Sequence, residues 1–277
     1  MRALFVSPHP DDAALSCGGL ILGLRDAGDD IDIVTVFSGC GPLDRLTDYQ
    51  RLALGFGEGD GSATAGLAPT PREIAELRRN EDRAYARHAG AGLRHLDLPD
   101  AVFRDYVGDE ALLGEPRTGD PAPTTELRTV IRDLHPDRLY LPMAIGSHVD
   151  HRLVRRAGLA LIGARNVPRE AVRFYEDFPY AHNVGFEDPA DLDAEFAAAN
   201  VRLEPEVVAI AGTLERKVAA LGHYPSQLGR LFGGDDPMSR AVRERAAGLG
   251  IPTGLPAAER YWRVAGRAAR TRVAVSS

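Results

Sequence analysis

Two short clusters of acidic and imidazole side chains could do chemistry in this chain: His9, Asp11 and Asp12 in one, His148, Asp150 and His151 in the other. Zinc is commonly held by imidazole nitrogen and carboxylate oxygen, and a catalytic zinc site keeps three protein ligands with one position open to water. His9, Asp12 and one histidine of the second cluster would fill that pattern. Asp11 would then stand beside the metal uncommitted, as a general base must. Taken alone, the first cluster has an ordinary reading too, since Asp at a helix start is a common cap. The second cluster tips the balance, because it repeats the same arrangement.

Both clusters sit where an apolar run stops. Ala3-Leu4-Phe5-Val6 reads as a central parallel strand covered on both faces, and Pro8 and Pro10 end its ladder. A helix from about Ala13 to Asp26 follows, with Leu15, Leu20, Ile21 and Leu24 for a core face and Asp11 or Asp12 as its cap. Leu139-Tyr140-Leu141, bounded by Pro136 and Pro142, is the second such strand. If residues 148–163 are helical, His148 and His151 project from one face of the first turn. In an open parallel sheet, ligands bind outside the carboxyl ends of the strands.

The rest of the chain alternates strand and helix. Ile31 to Phe37 is β-branched and reads as a strand, giving a βαβ unit with the first. Residues 38–70 read as a long loop over the site, with a short helix over Leu46 to Leu54 and a mobile Gly-rich tract from Gly55 to Gly61; a surface insertion is the plainer alternative. Thr70-Pro71-Arg72-Glu73 is a capping box that opens a helix ending at Gly90. Arg78 and Glu81 on it could reach a cleft, although solvated charges or an internal ion pair are the cheaper explanation. Leu93 to Asp100 reads as a strand that ends in acid, making Asp100 a candidate substrate contact. Thr124 or Thr125 is expected to cap a helix with Leu127, Val130, Ile131 and Leu134 inward. Ala171 to Tyr175 and Arg260 to Val264 read as strands, and Val201 to Val208 as an edge strand that tolerates Pro205. Residues 181–200 read as irregular, and Leu214, Val218 and Leu221 mark a further helix. No repeat or linker divides the chain, so residues 1–277 are expected to form one α/β domain.

Composition narrows the function. A net charge of −7 over 277 residues argues against a nucleic-acid binder. No apolar run approaches the roughly 20 residues that span a bilayer. Cys17 and Cys40 are the only cysteines, and they read as reduced thiols of a cytoplasmic protein. Oligomeric state is not legible, and a homo-oligomer stays open. Lys217 is the only lysine beside 32 arginines (33 basic residues less one), which suggests a site that needs a compact ammonium, although chance retention explains it as well.

His9-Pro10-Asp11-Asp12, His148-Val149-Asp150-His151, Phe174 to Tyr180, and Lys217 followed by Tyr224-Pro225-Ser226-Gln227 together resemble the PIG-L, or LmbE-like, family of metal-dependent N-deacetylases. The resemblance implies a Rossmann-like, mostly parallel sheet with helices on both faces. It implies a small-molecule substrate as well, an N-acyl amino-sugar conjugate whose amide is hydrolysed. The family pattern makes His9, Asp12 and His151 ligands of Zn2+, with another divalent metal as the alternative, Asp11 the base, and His148 the group facing the oxyanion or the leaving amine. Ala13 stands where relatives usually carry Glu.

On chemical grounds, a protonated His148 oriented by Asp150 is expected to stabilise the tetrahedral intermediate or protonate the amine. Arg78, Asp100 and Lys217 are the candidates for binding substrate. Two other classes compete: a nucleotide-binding Rossmann protein, which lacks its G-x-G-x-x-G after the first strand, and a metal-binding member of the family without turnover.

Overall fold

The first strand explains the layering. In the computed structural model, which describes residues 1–43, 45–56, 69–186 and 192–265, β1 (Arg2–Ser7) is buried from Ala3 to Ser7. Its side chains alternate between two cores: Leu4 and Val6 join one, Ala3 and Phe5 the other. A strand that feeds both faces must be apolar throughout, which is why its sequence shows a run and no alternation.

The elements follow in order: α1 (Asp12–Asp26), β2 (Asp30–Thr35), α2 (Asp48–Ala53), α3 (Pro71–Ala89), β3 (Gly92–His95), a 3-10 turn (Ala101–Arg104), α4 (Asp109–Leu112), α5 (Thr124–Leu134), β4 (Arg138–Pro142), α6 (Val149–Gly163), β5 (Val172–Tyr175), α7 (Tyr180–Asn183), α8 (Asp193–Ala198), β6 (Leu203–Ala209), α9 (Leu214–Leu221), α10 (Pro225–Phe232), α11 (Asp235–Gly250) and β7 (Ala258–Val264). The sheet order is β3-β2-β1-β4-β5-β7-β6. The first five strands run parallel, and β7 pairs antiparallel with both β5 and β6. Helices α5 and α6 cover one face, with Leu127, Val130, Leu153 and Val154 in its core. Helices α1, α3, α9, α10 and α11 supply the other, through Leu15, Tyr85, Leu221, Leu228 and Val242. The strand order reverses between β1 and β4, so the loops leaving these two strands flank the crevice where such sheets bind ligands.

Local signals account for most boundaries. Thr70 accepts a hydrogen bond from the Glu73 backbone while Glu73 reaches back to Thr70, and Gly90 closes α3 in the left-handed conformation. Thr47 caps α2 in the same reciprocal way with Gln50. Pro205 lies in β6, the last strand of the sheet order, where a missing N–H does least harm.

Several expectations need correction. The third strand is regular only as far as His95; beyond it the Leu96 and Leu98 N–H groups still donate to the Thr35 and Val36 carbonyls, and an isolated bridge joins Gly39 to Pro99. A Cβ at Gly39 would lie 2.2 Å from the Asp97 carbonyl oxygen, so only glycine lets the two backbones meet. Neither Thr124 nor Thr125 caps α5, which starts directly after Pro123 without a side-chain cap. The stretch read as irregular contains α7 and α8. Most of the Gly-rich tract, residues 57–61, lies outside the described residues. Among the described residues, no helix is long and apolar enough to cross a membrane.

Candidate active site

The loop leaving β1 is folded by its own polar groups. Ser7 Oγ donates to the His9 carbonyl (2.6 Å) and accepts the Ala13 N–H (3.0 Å). Asp12 Oδ2 accepts the His9 N–H at 2.8 Å. Between them Asp11 takes φ 113°, a region disfavoured for any residue with a Cβ, at a cost on the order of 1–3 kcal/mol. Its carbonyl accepts Leu15 N–H and so starts α1, which fixes the carboxyl group at the rim.

At the end of β4, His148 precedes α6 and its Nδ1 accepts the Asp150 N–H at 3.2 Å. That bond sets the tautomer: Nε2 carries the ring proton. One turn on, His151 Nδ1 is bound by Asp177 Oδ1 at 2.6 Å, and the other Asp177 oxygen accepts Ile145 N–H. His9 is anchored similarly, its Nε2 lying 2.9 Å from Asp150 Oδ2. Each anchored ring therefore presents its remaining nitrogen to one atom. Asp12 Oδ2 lies 3.3 Å from both His9 Nδ1 and His151 Nε2.

These atoms suit a metal ion. His151 Nε2 is buried and has no hydrogen-bond partner, a costly state for a polar atom unless something else occupies its lone pair. Separations near 3.3 Å are those of two ligands on one tetrahedral ion with bonds of about 2.0–2.1 Å. Ring nitrogens of His9, His148 and His151 also fall within 4.8 Å of one another. A second group, His9, Asp100 and Asp150, is equally close, but Asp150 is already engaged by the Ala101 N–H, Arg104 and His9.

Charge follows from these partners. Burial opposes protonation of His9, yet Asp100, Asp12 and Asp150 outweigh it and push the imidazole up to about 9. His151 is raised well above the usual value against the same burial, by Asp12 and Asp177. The cluster has more carboxylate than cation and takes up protons to compensate; a divalent ion would replace them. Asp11 is raised well above the usual carboxylate range, by burial first and then by Asp12. His148 moves the opposite way, pushed down to about 3 by burial and by the neighbouring His9.

Two expectations about the second cluster change accordingly. The Asp150 N–H on Nδ1 leaves no room there for a second proton, so the ring is set as a neutral imidazole with its N–H at Nε2 and not as an imidazolium. The Asp150 carboxylate does not orient His148 at all. It holds His9, and Arg104 holds it in turn at 2.7 Å.

The cleft above these groups takes Arg78, Asp100, Tyr180 and Gln227 into its lining. Arg78 Nη1 lies 3.2 Å from Asp100 Oδ2, and Arg78 Nε is buried without a partner. Asp100 also caps the 3-10 turn through the Val102 N–H, so its structural and cleft-facing readings hold together. Lys217 is elsewhere. It forms a buried ion pair of 2.7 Å with Glu259, which also accepts the Gly19 and Leu20 N–H groups. The Nζ atom is thereby spent on joining α9, α1 and β7, and the lone lysine is no substrate contact. Glu81 likewise turns to Ser226, through its N–H and Oγ. Sequence reasoning missed Asp177 and Arg104 as anchors of the histidine system; Asp177 lay in a quoted motif, whereas nothing local marked Arg104.

The comparisons agree with this geometry. The model of the family described as PIG-L, GlcNAc-PI de-N-acetylase, matches residues 4–162. A 2'-N-acetylparomamine deacetylase of Streptomyces fradiae is 32% identical, the match covering 97% of this chain and 92% of that protein. Among solved structures, the A40926 pseudoaglycone deacetylase superposes with a TM-score of 0.73 at 29% identity, covering 97% of this chain and 98% of that one. The zinc-inhibited form of teicoplanin deacetylase does so with a TM-score of 0.73 at 25% identity, covering 96% and 98%. The strand ends, the crevice and the matched sequence thus lead to one assignment: the chain belongs to the PIG-L family.

Proposed function

We propose that this chain is a metal-dependent N-deacetylase that hydrolyses the acetamide of an N-acetylglucosamine-type sugar conjugate, working as one domain. The observation that carries the reading is His151 Nε2, buried, unpartnered and aimed at Asp12 while Asp177 fixes the other side of the ring. Zinc is the metal that this donor set favours, with His9, Asp12 and His151 holding it. Held by these three residues, the ion would supply Lewis acidity at the acyl oxygen and a water of lowered pKa, about 7.

The chain's own groups do the rest. Asp11, raised by burial and held at the rim by its backbone, accepts the proton of the attacking water. Charge then gathers on the former carbonyl oxygen, and His148 Nε2–H donates to it as a neutral group that need not be recharged between turnovers. The C–N bond breaks as Asp11 returns the proton to the amine, leaving acetate and a free amino sugar. Arg78 and Asp100 lie where sugar hydroxyls would be read, one offering donors and the other an acceptor. The names of the relatives support an amino-sugar substrate.

Elemental analysis together with a free-amine assay on simple N-acetylglucosaminides tests this. The expected result is about one divalent metal per chain and equal yields of acetate and amine. Metal without turnover on any N-acetyl amino sugar would leave a silent metal binder and end the enzymatic reading.

A further inference from the structure

Besides the histidine end, the lining of the cleft takes in Ala53, Val102, Leu112, Leu231 and Arg230. The charges at its inner end, Asp11, Asp12, Asp100 and Arg78, are buried and face one another. Arg230 is the one exposed charged residue in that lining. It makes a single hydrogen bond, from Nη1 to the Leu52 carbonyl at 3.1 Å, and no carboxylate pairs with it among the described residues. Among the described residues its remaining donors have no partner, and they present the planar fork that fits carboxylate and phosphate oxygens.

The residue is also well placed. Helix α10 is pinned at its start by Ser226 to Glu81 and by Gln227 to the Leu54 carbonyl, so the stem of Arg230 leaves a fixed support. It shares the lining of the cleft with Tyr180, whose ring lies 5.8 Å from that of His151.

We infer that Arg230 selects, at the aglycone end of the cleft, amino-sugar conjugates that carry an acidic oxygen group near the sugar, and disfavours polycationic ones. This rests on the deacetylase reading of the same site. A like charge at a partly enclosed mouth repels and an opposite one attracts, and the effect weakens with salt.

Three N-acetylglucosaminides with para-carboxyphenyl, phenyl and para-trimethylammoniophenyl aglycones separate the possibilities. In low salt the wild-type kcat/KM is expected to fall in that order, by about tenfold from first to last, with the change in KM and not kcat because Arg230 takes no part at the reacting bond. Arg230→Glu should reverse the order, Arg230→Gln should flatten it, and high salt should compress it. For phosphate, a phenyl-phosphate aglycone should behave like the carboxylate. Equal wild-type efficiency on all, or an anion preference that survives Arg230→Glu, overturns the assignment of Arg230. Failure to deacetylate any of them overturns the deacetylase reading, and this inference with it.

Discussion

Two buried charge clusters in this molecule look alike in composition and differ in balance. Around Lys217 each charge is closed: Glu259 takes the ammonium, two backbone N–H groups and the Tyr261 hydroxyl. Around Asp12 it is not closed, since carboxylates outnumber cations, imidazoles are driven to protonate, and one buried ring nitrogen has no partner. A satisfied cluster holds a fold together. An unsatisfied one waits for a ligand, and that imbalance, not the rarity of a residue type, is what marks the functional region.

Substitution can break the contrast. Asp11→Asn should lower kcat by roughly 10²–10⁴-fold, the usual share of a general base, while metal content measured by elemental analysis stays at the wild-type level. Loss of metal in step with activity would make Asp11 a ligand instead. Lys217→Met should do the reverse: about 3–5 kcal/mol less stable in urea, because Glu259 is left buried beside no cation, with kcat of the folded protein unchanged. A kcat loss there would return Lys217 to the cleft.

Smaller changes sharpen it. Asp177→Ala removes the anchor of His151 without removing a ligand, and metal affinity should drop about 10–100-fold in competition with a chelator. The least effect is expected at Glu195, which pairs with Arg155 and Arg156 on α6. Burial would raise this carboxyl, but Arg156 and Arg155 hold it below the usual value. Its stabilisation is therefore complete above the unfolded value near 4.3 and is lost as pH falls through the lower folded value. Glu195→Gln should cost about 1 kcal/mol at neutral pH, discounted for solvent screening, and the gap to wild type should close in acid.

The sequence showed the parts of the site that are local. Apolar runs stopped by proline placed the ends of β1 and β4, and the i, i+3 spacing brought His148 and His151 together at the start of α6, although His148 caps that helix from outside instead of lying on its first turn. What it could not show were partners chosen by the tertiary fold. Asp150 pairs with His9, 141 positions away, although His148 is its near neighbour. Asp177 reaches His151 across 26 positions. Lys217 looked functional because it is rare, while its partner Glu259 lies 42 positions on and is visible only once β7 joins the sheet. Helix α11 was missed for a different reason: it buries only Met238, Val242, Ala246 and Gly250, a stripe too narrow and small to stand out among its arginines and alanines.

The proline in β6 has a consequence for how copies of the chain can meet. An open sheet ends in a row of backbone donors and acceptors that a strand from another molecule can join. At this end the strand includes Pro205, which has no N–H to offer, so the ladder lacks a rung at mid-length. Growth of the sheet by strand addition is opposed along β6, and encounters between molecules are turned from that edge toward the helical faces and the other margin of the sheet.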